Sequence, residues 1–430
     1  MTAGAMVISY WIPPEKVNAG VWITIFLVIV VAINYFGVKF FGEFEFWLSS
    51  FKVIVILGII LMSFILMLGG GPDHDRKGFR YWKEPGAFNT YKMDGAPGRF
   101  LAFWSTMVSA TFAYLGTELV GVTVGEAQNP RKTIPRAIKL TFYRILVFYV
   151  TSVLLVGTLV PYNSPKLLFA LSDDNKKKGS AAASPFVVAI ELTAIPILPH
   201  ILNACILLFV FSAANSDLYI ATRTIYGLAR EGKAPKIFAR TDRRGVPVPA
   251  LAISSIIALL GYMNVSSDSK TVFKYFVNLV TIFGLLTWIS ILVTHIYFVR
   301  ARKAQGVPEE SLAYKAPLGV AGSYFALGFC ILIAFTKNFD VFIHNPKTYG
   351  NFDYKNFITA YLGIPLYLIM IFGYKFATGS KGVDPMTADL FTGKDEIDRE
   401  EALYLARKEA ETEKHNNAGW FYRTFVSWLF

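Results

Sequence analysis

Long apolar runs recur along this chain, and no other feature restricts its fold as strongly. They cover Gly20–Val38, Phe46–Leu68, Phe100–Gly125, Leu140–Pro161, Ile197–Thr222, Pro247–Asn264, Tyr275–Phe298, Leu318–Thr336 and Asn356–Tyr374. A helix rising 1.5 Å per residue needs roughly 20 residues to cross the hydrocarbon core of a bilayer, and each run is close to that length. In lipid every backbone amide must find a partner within the protein, which favours helices. The sequence therefore predicts an all-α polytopic membrane protein with nine complete transmembrane helices. The competing picture is a large soluble α-protein with greasy core helices. Only 17% of the 430 residues are charged, which counts against it. Trp22, Trp47, Trp82, Trp104 and several tyrosines fall near run ends, where an interfacial belt would place them.

The net charge of +12 does not point to nucleic acid. The basic residues sit between apolar runs, where they would meet anionic lipid head groups. Cys205 and Cys330 both lie inside runs, so neither a disulfide framework nor a metal site is implied. No cofactor signature is present.

Loop charge alone does not orient the chain. The loops at 39–45, 126–139, 223–246 and 299–317 hold 16 Lys and Arg, and the alternate loops also hold 16. The C-terminal tail adds eight to the first set, and Arg223–Val246 is the densest basic cluster, so that side is predicted to be cytoplasmic. With nine spans and an internal tail, residues near Ile12 then lie outside. The opening Thr2–Trp11 reads like the last turns of a helix, and an odd number of preceding spans is expected. Within the tail, the charged stretch Glu396–Lys414 reads as a surface helix and the aromatic Gly419–Phe430 as a membrane-surface segment. A disordered tail is the alternative.

Charged side chains within a span are costly and mark function by default. Lys52, Glu118 and Asp217 are embedded, Arg144 lies near a span end, and His200 and His295 are also enclosed. The most informative stretch is Phe112-Ala113-Tyr114-Leu115-Gly116-Thr117-Glu118. Glycine and threonine beside a carboxylate in mid-span weaken the helix, and a broken helix exposes backbone groups that hold zwitterions. Residues 112–116 are expected to offer carbonyls to an ammonium group, with Glu118 as proton or charge partner. A small-residue packing face, with Glu118 bonded to a neighbouring helix, is the plainer reading. Lys52 is a fixed or switchable cation where a sodium-coupled carrier would hold its ion, or it snorkels to the interface. Ser212, Asn215 and Asp217 belong to a polar run on an apolar helix, and line a water path or form a structural network. His295 reads as interfacial. The basic loops 128–136 and 223–244 are cytoplasmic gates or simple topology signals.

These residues carry a family resemblance. Ala113–Ala137, AYLGTELVGVTVGEAQNPRKTIPRA, resembles the sixth-span signature of the fungal amino-acid permeases. Ser212–Phe238, SAANSDLYIATRTIYGLAREGKAPKIF, is similar to that family's eighth span and following loop. Asn278–Phe298 and Ala388–Glu400 are similar too, so the likeness runs over essentially the whole chain. The family is the yeast amino acid transporter family of the amino acid–polyamine–organocation superfamily. Val122–Gln128 most resembles its dicarboxylic amino-acid branch.

The resemblance implies a leucine-transporter-type fold of two inverted five-helix repeats, here lacking its first two spans and most of the third. Residues 1–12 would end span three, 13–68 carry spans four and five, and 69–98 form an extracellular loop. Residues 99–300 would form the second inverted repeat, spans six to ten. Residues 301–376 would hold spans eleven and twelve, and 377–430 a cytoplasmic tail. It also implies a substrate site at Phe112, Ala113, Tyr114, Leu115, Gly116 and Thr117, and a sodium-like position for Lys52. The Gly-rich break of the family's first span is absent from this sequence, as is the Phe-Trp-Cys ending of some relatives.

The expected function is proton-coupled amino-acid import across the plasma membrane by alternating access, with acidic amino acids as one substrate class and neutral or broad-range uptake as the alternative. Partners would be the amino acid, the proton, the bilayer and cytoplasmic regulators of the tail. A non-transporting sensor or a non-functional fragment is the reading from another class. An enzyme is disfavoured, because no His-Glu-x-x-His, Gly-x-Ser-x-Gly or phosphate-cradling loop occurs.

Overall fold

Hydropathy and proline placement set the helices, and the structure shows where they start and stop. The structure is a computed structural model and describes the chain apart from residues 14, 37, 123, 125, 126, 128, 172–184, 193–196, 266–268, 344–350, 381 and 416–430. The expected aromatic segment Gly419–Phe430 lies outside the described residues, as does Gln128 of the first basic loop. Among the described residues there is no strand.

The helices are α1 (Thr2–Ile8), α2 (Ala19–Phe36), α3 (Val38–Met67), α4 (Gly95–Ser105), α5 (Met107–Tyr114), α6 (Leu119–Val122), α7 (Pro130–Leu159) and α8 (Pro165–Leu171). They continue as α9 (Pro185–Leu192), α10 (Leu198–Arg230), α11 (Val248–Ala258), α12 (Ser269–Ala304), α13 (Gly319–Thr336), α14 (Tyr354–Tyr361), α15 (Gly363–Thr378) and α16 (Lys394–His415). Prolines open several of them. Pro130 and Pro165 are the first residues of α7 and α8, and α10 and α11 carry proline within their first two positions. Proline fits there because its missing N–H would be an orphan in any helix's first turn. At α14 the Asp353 carboxylate accepts the Asn356 N–H at 3.0 Å, a side-chain N-cap.

Among the described residues seven helical segments are long and apolar enough to cross a membrane: Ala19–Phe36, Gly42–Met67, Pro130–Leu159, Leu198–Arg230, Thr271–Ala304, Gly319–Phe342 and Tyr354–Thr378. The other two predicted runs differ for physical reasons. Phe100–Gly125 is divided among α4, α5 and α6: the second division falls at the expected Gly116 and Thr117, while the first, at Thr106, was not expected. Pro247–Asn264 forms α11 and then tightens into a 3-10 turn over Leu259–Asn264.

Most of each span faces outward. Ile54, Val153 and Phe325 are among many large apolar side chains more than 60% exposed. Exposed apolar area on that scale marks a surface made for lipid. Together with the seven long apolar helices it makes this an integral membrane protein. With lipid as apolar as leucine, close packing rather than water exclusion holds such helices together.

The chain forms two compact units: residues 1–116, 141–286 and 332–367 in the first, and 117–140, 287–331 and 368–430 in the second. In the first, α2, α10 and α11 pack together with α1 against α2 and α10, around Val30, Leu218, Val246 and Leu251. A second cluster joins Leu66 of α3, Leu159 and Val160 at the end of α7, and Val188 and Ala189 of α9. In the second unit, the charged stretch predicted as a surface helix is α16. Arg131 at the start of α7 pairs with Asp398 and, at 2.9 Å, with Glu401 of α16. The Gln305 carboxamide donates to the Pro385 and Ala388 carbonyls at 2.9 and 2.7 Å, tying the tail's first stretch to the end of α12.

Candidate functional site

The predicted helix break is present. α5 ends at Tyr114, Leu115 turns to an extended conformation at φ −59°, ψ 145°, and Gly116 adopts φ +96°. Residues 115–118 form turns, and helix resumes at Leu119. A glycine is required at position 116 because L side chains clash at that φ. The break interrupts the regular i to i−4 bonding that the last α5 carbonyls would otherwise receive, and a helix C-terminus carries partial negative charge. The break thus presents a set of acceptors suited to a cation.

Each half of the break is held by an aromatic side chain that the sequence reading did not single out. In the first unit, the Tyr149 hydroxyl of α7 donates to the Ala113 carbonyl at 3.0 Å, and its ring stacks on Tyr114 with centroids 5.3 Å apart. The Leu115 side chain fills the notch at Gly284 of α12, where an added Cβ would come within 2.1 Å of Leu115 Cδ2. The Leu115 N–H returns to the Phe112 carbonyl at 3.3 Å. Phe112, Ala113 and Tyr114 are exposed, and Leu115 and Gly116 are partly covered. In the second unit, Thr117 is exposed and Glu118 half-buried, with the Trp288 indole of α12 donating to Glu118 Oε2 at 3.0 Å.

Lys52 lies in a different setting. Its ammonium donates to Ser212 Oγ at 2.5 Å and pairs with Glu45 Oε1 at 3.2 Å, while Ser212 Oγ donates to the same Glu45 oxygen at 2.6 Å. Glu45 and Lys52 are seven residues apart on α3, two helical turns, so they share a face. Three residues beyond Ser212 on α10, Asn215 accepts from Asn34 Nδ2 of α2 at 3.0 Å, and that amide also donates to the Val30 carbonyl at 2.9 Å. Ser212 and Asn215 are both fully buried, and the structure joins each to a partner on another helix. Asp217 sits on the exposed side of α10. Glu45 Oε2, Asn34 Oδ1 and Asn215 Nδ2 are buried without a hydrogen-bond partner among the described residues.

The remaining predictions fall elsewhere. His295 Nδ1 contacts Ser323 Oγ at 2.8 Å, and His200 lies against the Tyr10 ring. In the basic loop after α10, Asp242 accepts the backbone N–H groups of Val246 and Arg244, both at 2.9 Å. Chiefly the Val246 bond holds its carboxyl below the usual range. No group of three or more potential metal ligands occurs among the described residues. An apolar cleft of about 670 Å³ between α3 and α7 is lined by residues such as Leu61, Phe64 and Leu154, and by none of the predicted site residues.

A polytopic α-helical membrane protein with a discontinuous helix has an architecture common among secondary transporters. Comparison with known proteins makes the class specific. Residues 1–382 match the family described as Amino acid permease, and the chain belongs to that family. It is 54% identical to the dicarboxylic amino acid permease of Saccharomyces cerevisiae over 436 aligned positions, covering 100% of this chain and 70% of the relative. It is 38% identical to the proline-specific permease of Emericella nidulans, covering 100% of this chain and 75% of the relative. It is 40% identical to the lysine-specific permease of Saccharomyces cerevisiae, covering 85% of this chain and 58% of the relative. Such relatives are transporters, not enzymes.

Proposed function

We propose that this permease imports amino acids at the plasma membrane by alternating access, coupled to protons, with dicarboxylic amino acids as its substrate class. The observation that carries the reading is the break at Leu115–Glu118, which pairs a helix C-terminus rich in acceptors with a carboxylate on the same short segment. The carbonyls of 112–116 hold the substrate ammonium, with Thr117 at the edge of that set, and Glu118 carries the proton, oriented by Trp288. A dicarboxylic substrate has one more negative charge than a neutral one, and Lys52 is the cation that the sequence sets deep within an apolar run. Glu45 balances that charge in this structure, so Lys52 acts as a switchable cation rather than a standing one. Ser212 and Asn215, with Asp217 two residues on, lie along the translocation path.

The architecture that goes with this reading is a leucine-transporter-type inverted repeat. Its second repeat spans 99–300, nine spans cross the bilayer in this chain, and the tail from 377 is cytoplasmic. The dicarboxylic relative supports acidic substrates. The likeness to a proline-specific permease favours a second reading, a carrier of neutral amino acids.

Competition decides between them. Uptake of labelled aspartate by cells expressing the protein is measured against an excess of unlabelled amino acids. Suppression by glutamate and aspartate, and not by proline or lysine, is expected. Labelled proline or alanine carried in preference to aspartate would establish the neutral reading instead.

A further inference from the structure

Tyr149 has no part in the assignments above, yet its hydroxyl occupies one of the carbonyls on which they depend. α5 ends with the Phe112 carbonyl taken by the Leu115 N–H and the Ala113 carbonyl taken by Tyr149. The Tyr149 phenol is a neutral donor at 3.0 Å, presented by a long apolar helix and steadied by stacking on Tyr114. Both rings are partly open, Tyr149 at 40% and Tyr114 at 38% exposure, so the bond is not sealed inside a packed core. A substrate ammonium makes the same bond with a full positive charge, and charge-assisted hydrogen bonds are roughly twice as strong as neutral ones.

We propose that the Tyr149 hydroxyl is a latch on the Ala113 carbonyl, which the substrate's α-ammonium displaces on binding. This rests on the reading that the carbonyls of 112–116 hold the ammonium. In the empty carrier the latch satisfies an acceptor that would otherwise stand alone in an apolar setting. In the loaded carrier the ammonium replaces it, and after release the phenol returns. Tyr149 is thus a positioning residue for the break, and it tunes affinity only for ligands that bring a cation to Ala113.

The test compares two ligands that differ only in that cation. Succinate is aspartate with hydrogen in place of the ammonium group; propionate stands in the same relation to alanine and serves if the carrier proves neutral. Apparent affinities of both members of the pair are measured from uptake and its inhibition in wild type, Tyr149→Phe and Tyr143→Phe, each normalised to protein at the cell surface. Tyr149→Phe keeps the stacked ring and removes only the hydroxyl. Removing a competing neutral hydrogen bond should lower the KM for aspartate by about threefold to tenfold. Inhibition by succinate should not change, nor should either ligand respond to Tyr143→Phe, an exposed phenol on the same helix with no part in the break. Should Tyr149→Phe fail to reach the surface, Tyr149→Trp, which moves the donor away from Ala113, is read in the same way. An aspartate KM that is unchanged or raised, while wild type still discriminates aspartate from succinate, overturns the latch. A wild type that does not distinguish the two ligands instead removes the carbonyl reading of the break, and the latch with it.

Discussion

The break at Leu115–Glu118 and the polar cluster around Lys52 differ in how their polar groups are satisfied. At the break an aromatic side chain donates to the Ala113 carbonyl and another to the Glu118 carboxylate, and much of the segment is exposed. Around Lys52 the partners are side chains on α2, α3 and α10, Ser212 and Asn215 are fully buried, and the Lys52 charge is met by Glu45. An exposed neutral hydrogen bond can be traded for a ligand at small cost. A buried, charge-balanced cluster resists change, because removing one member leaves another unpaired. The difference suggests that substrate is held at the break and that the cluster fixes the scaffold and its switchable charge.

The comparison breaks most sharply at Gly116. Its φ of +96° excludes a side chain whatever the space around it, and forcing an L-residue there costs about 1–3 kcal/mol. Gly116→Ala is therefore expected to reduce uptake by about tenfold or more at equal surface amount. Gly121→Ala, in open space on α6, should leave uptake near wild type. Equal loss in both would mean that the break conformation is not what transport needs.

A smaller effect separates the cluster. Lys52→Met leaves the Glu45 carboxylate without its cation, which should cost about 1–3 kcal/mol in the stability of the detergent-solubilised protein. Glu45→Gln in the same background should recover a large part of it, since the loss comes from the stranded charge. Additive single effects in thermal unfolding would show that the two residues are not coupled.

The smallest expected effect concerns the loop after α3. The Lys77 ammonium holds the Asp73 carboxyl below the usual range, and the Arg80 guanidinium does the same for Asp75. A depressed folded pKa adds stability above the ordinary carboxylate value of about 3.9, and that stability fades as pH falls through the folded values. Amide protection in the loop, including Gly70 and Gly78, should hold from neutral pH down to about pH 4.5 and weaken only below the ordinary carboxylate range. Protection lost already above that would mean the pairs do not order the loop.

Much of this was legible in the sequence because hydropathy and backbone chemistry are local. Seven long runs became apolar helices, and Gly116 with Thr117 announced the break before any contact was known. Pro247–Asn264 was legible as apolar, yet its length did not show that the last residues would tighten into a 3-10 turn. Partner choice was far less accessible. The Glu45–Lys52 spacing of two turns was visible, but not that Ser212, 160 residues beyond Lys52, would complete the set. Asn34 was a lone polar residue in an apolar run, a signal for a buried contact that named no partner. Tyr149 and Trp288 looked like ordinary span aromatics, since nothing local distinguishes a ring that donates to a break from one that faces lipid.

Coupling of amino-acid movement to protons through Glu118 is the part of the proposed function most open to a direct test. The direct measurement is uptake of labelled aspartate into vesicles containing the purified protein, with an imposed pH gradient, for wild type and Glu118→Gln. Wild type is expected to accumulate substrate when the outside is acid, and Glu118→Gln to lose that dependence on pH. An unchanged pH dependence in Glu118→Gln would rule out Glu118 as the coupling group.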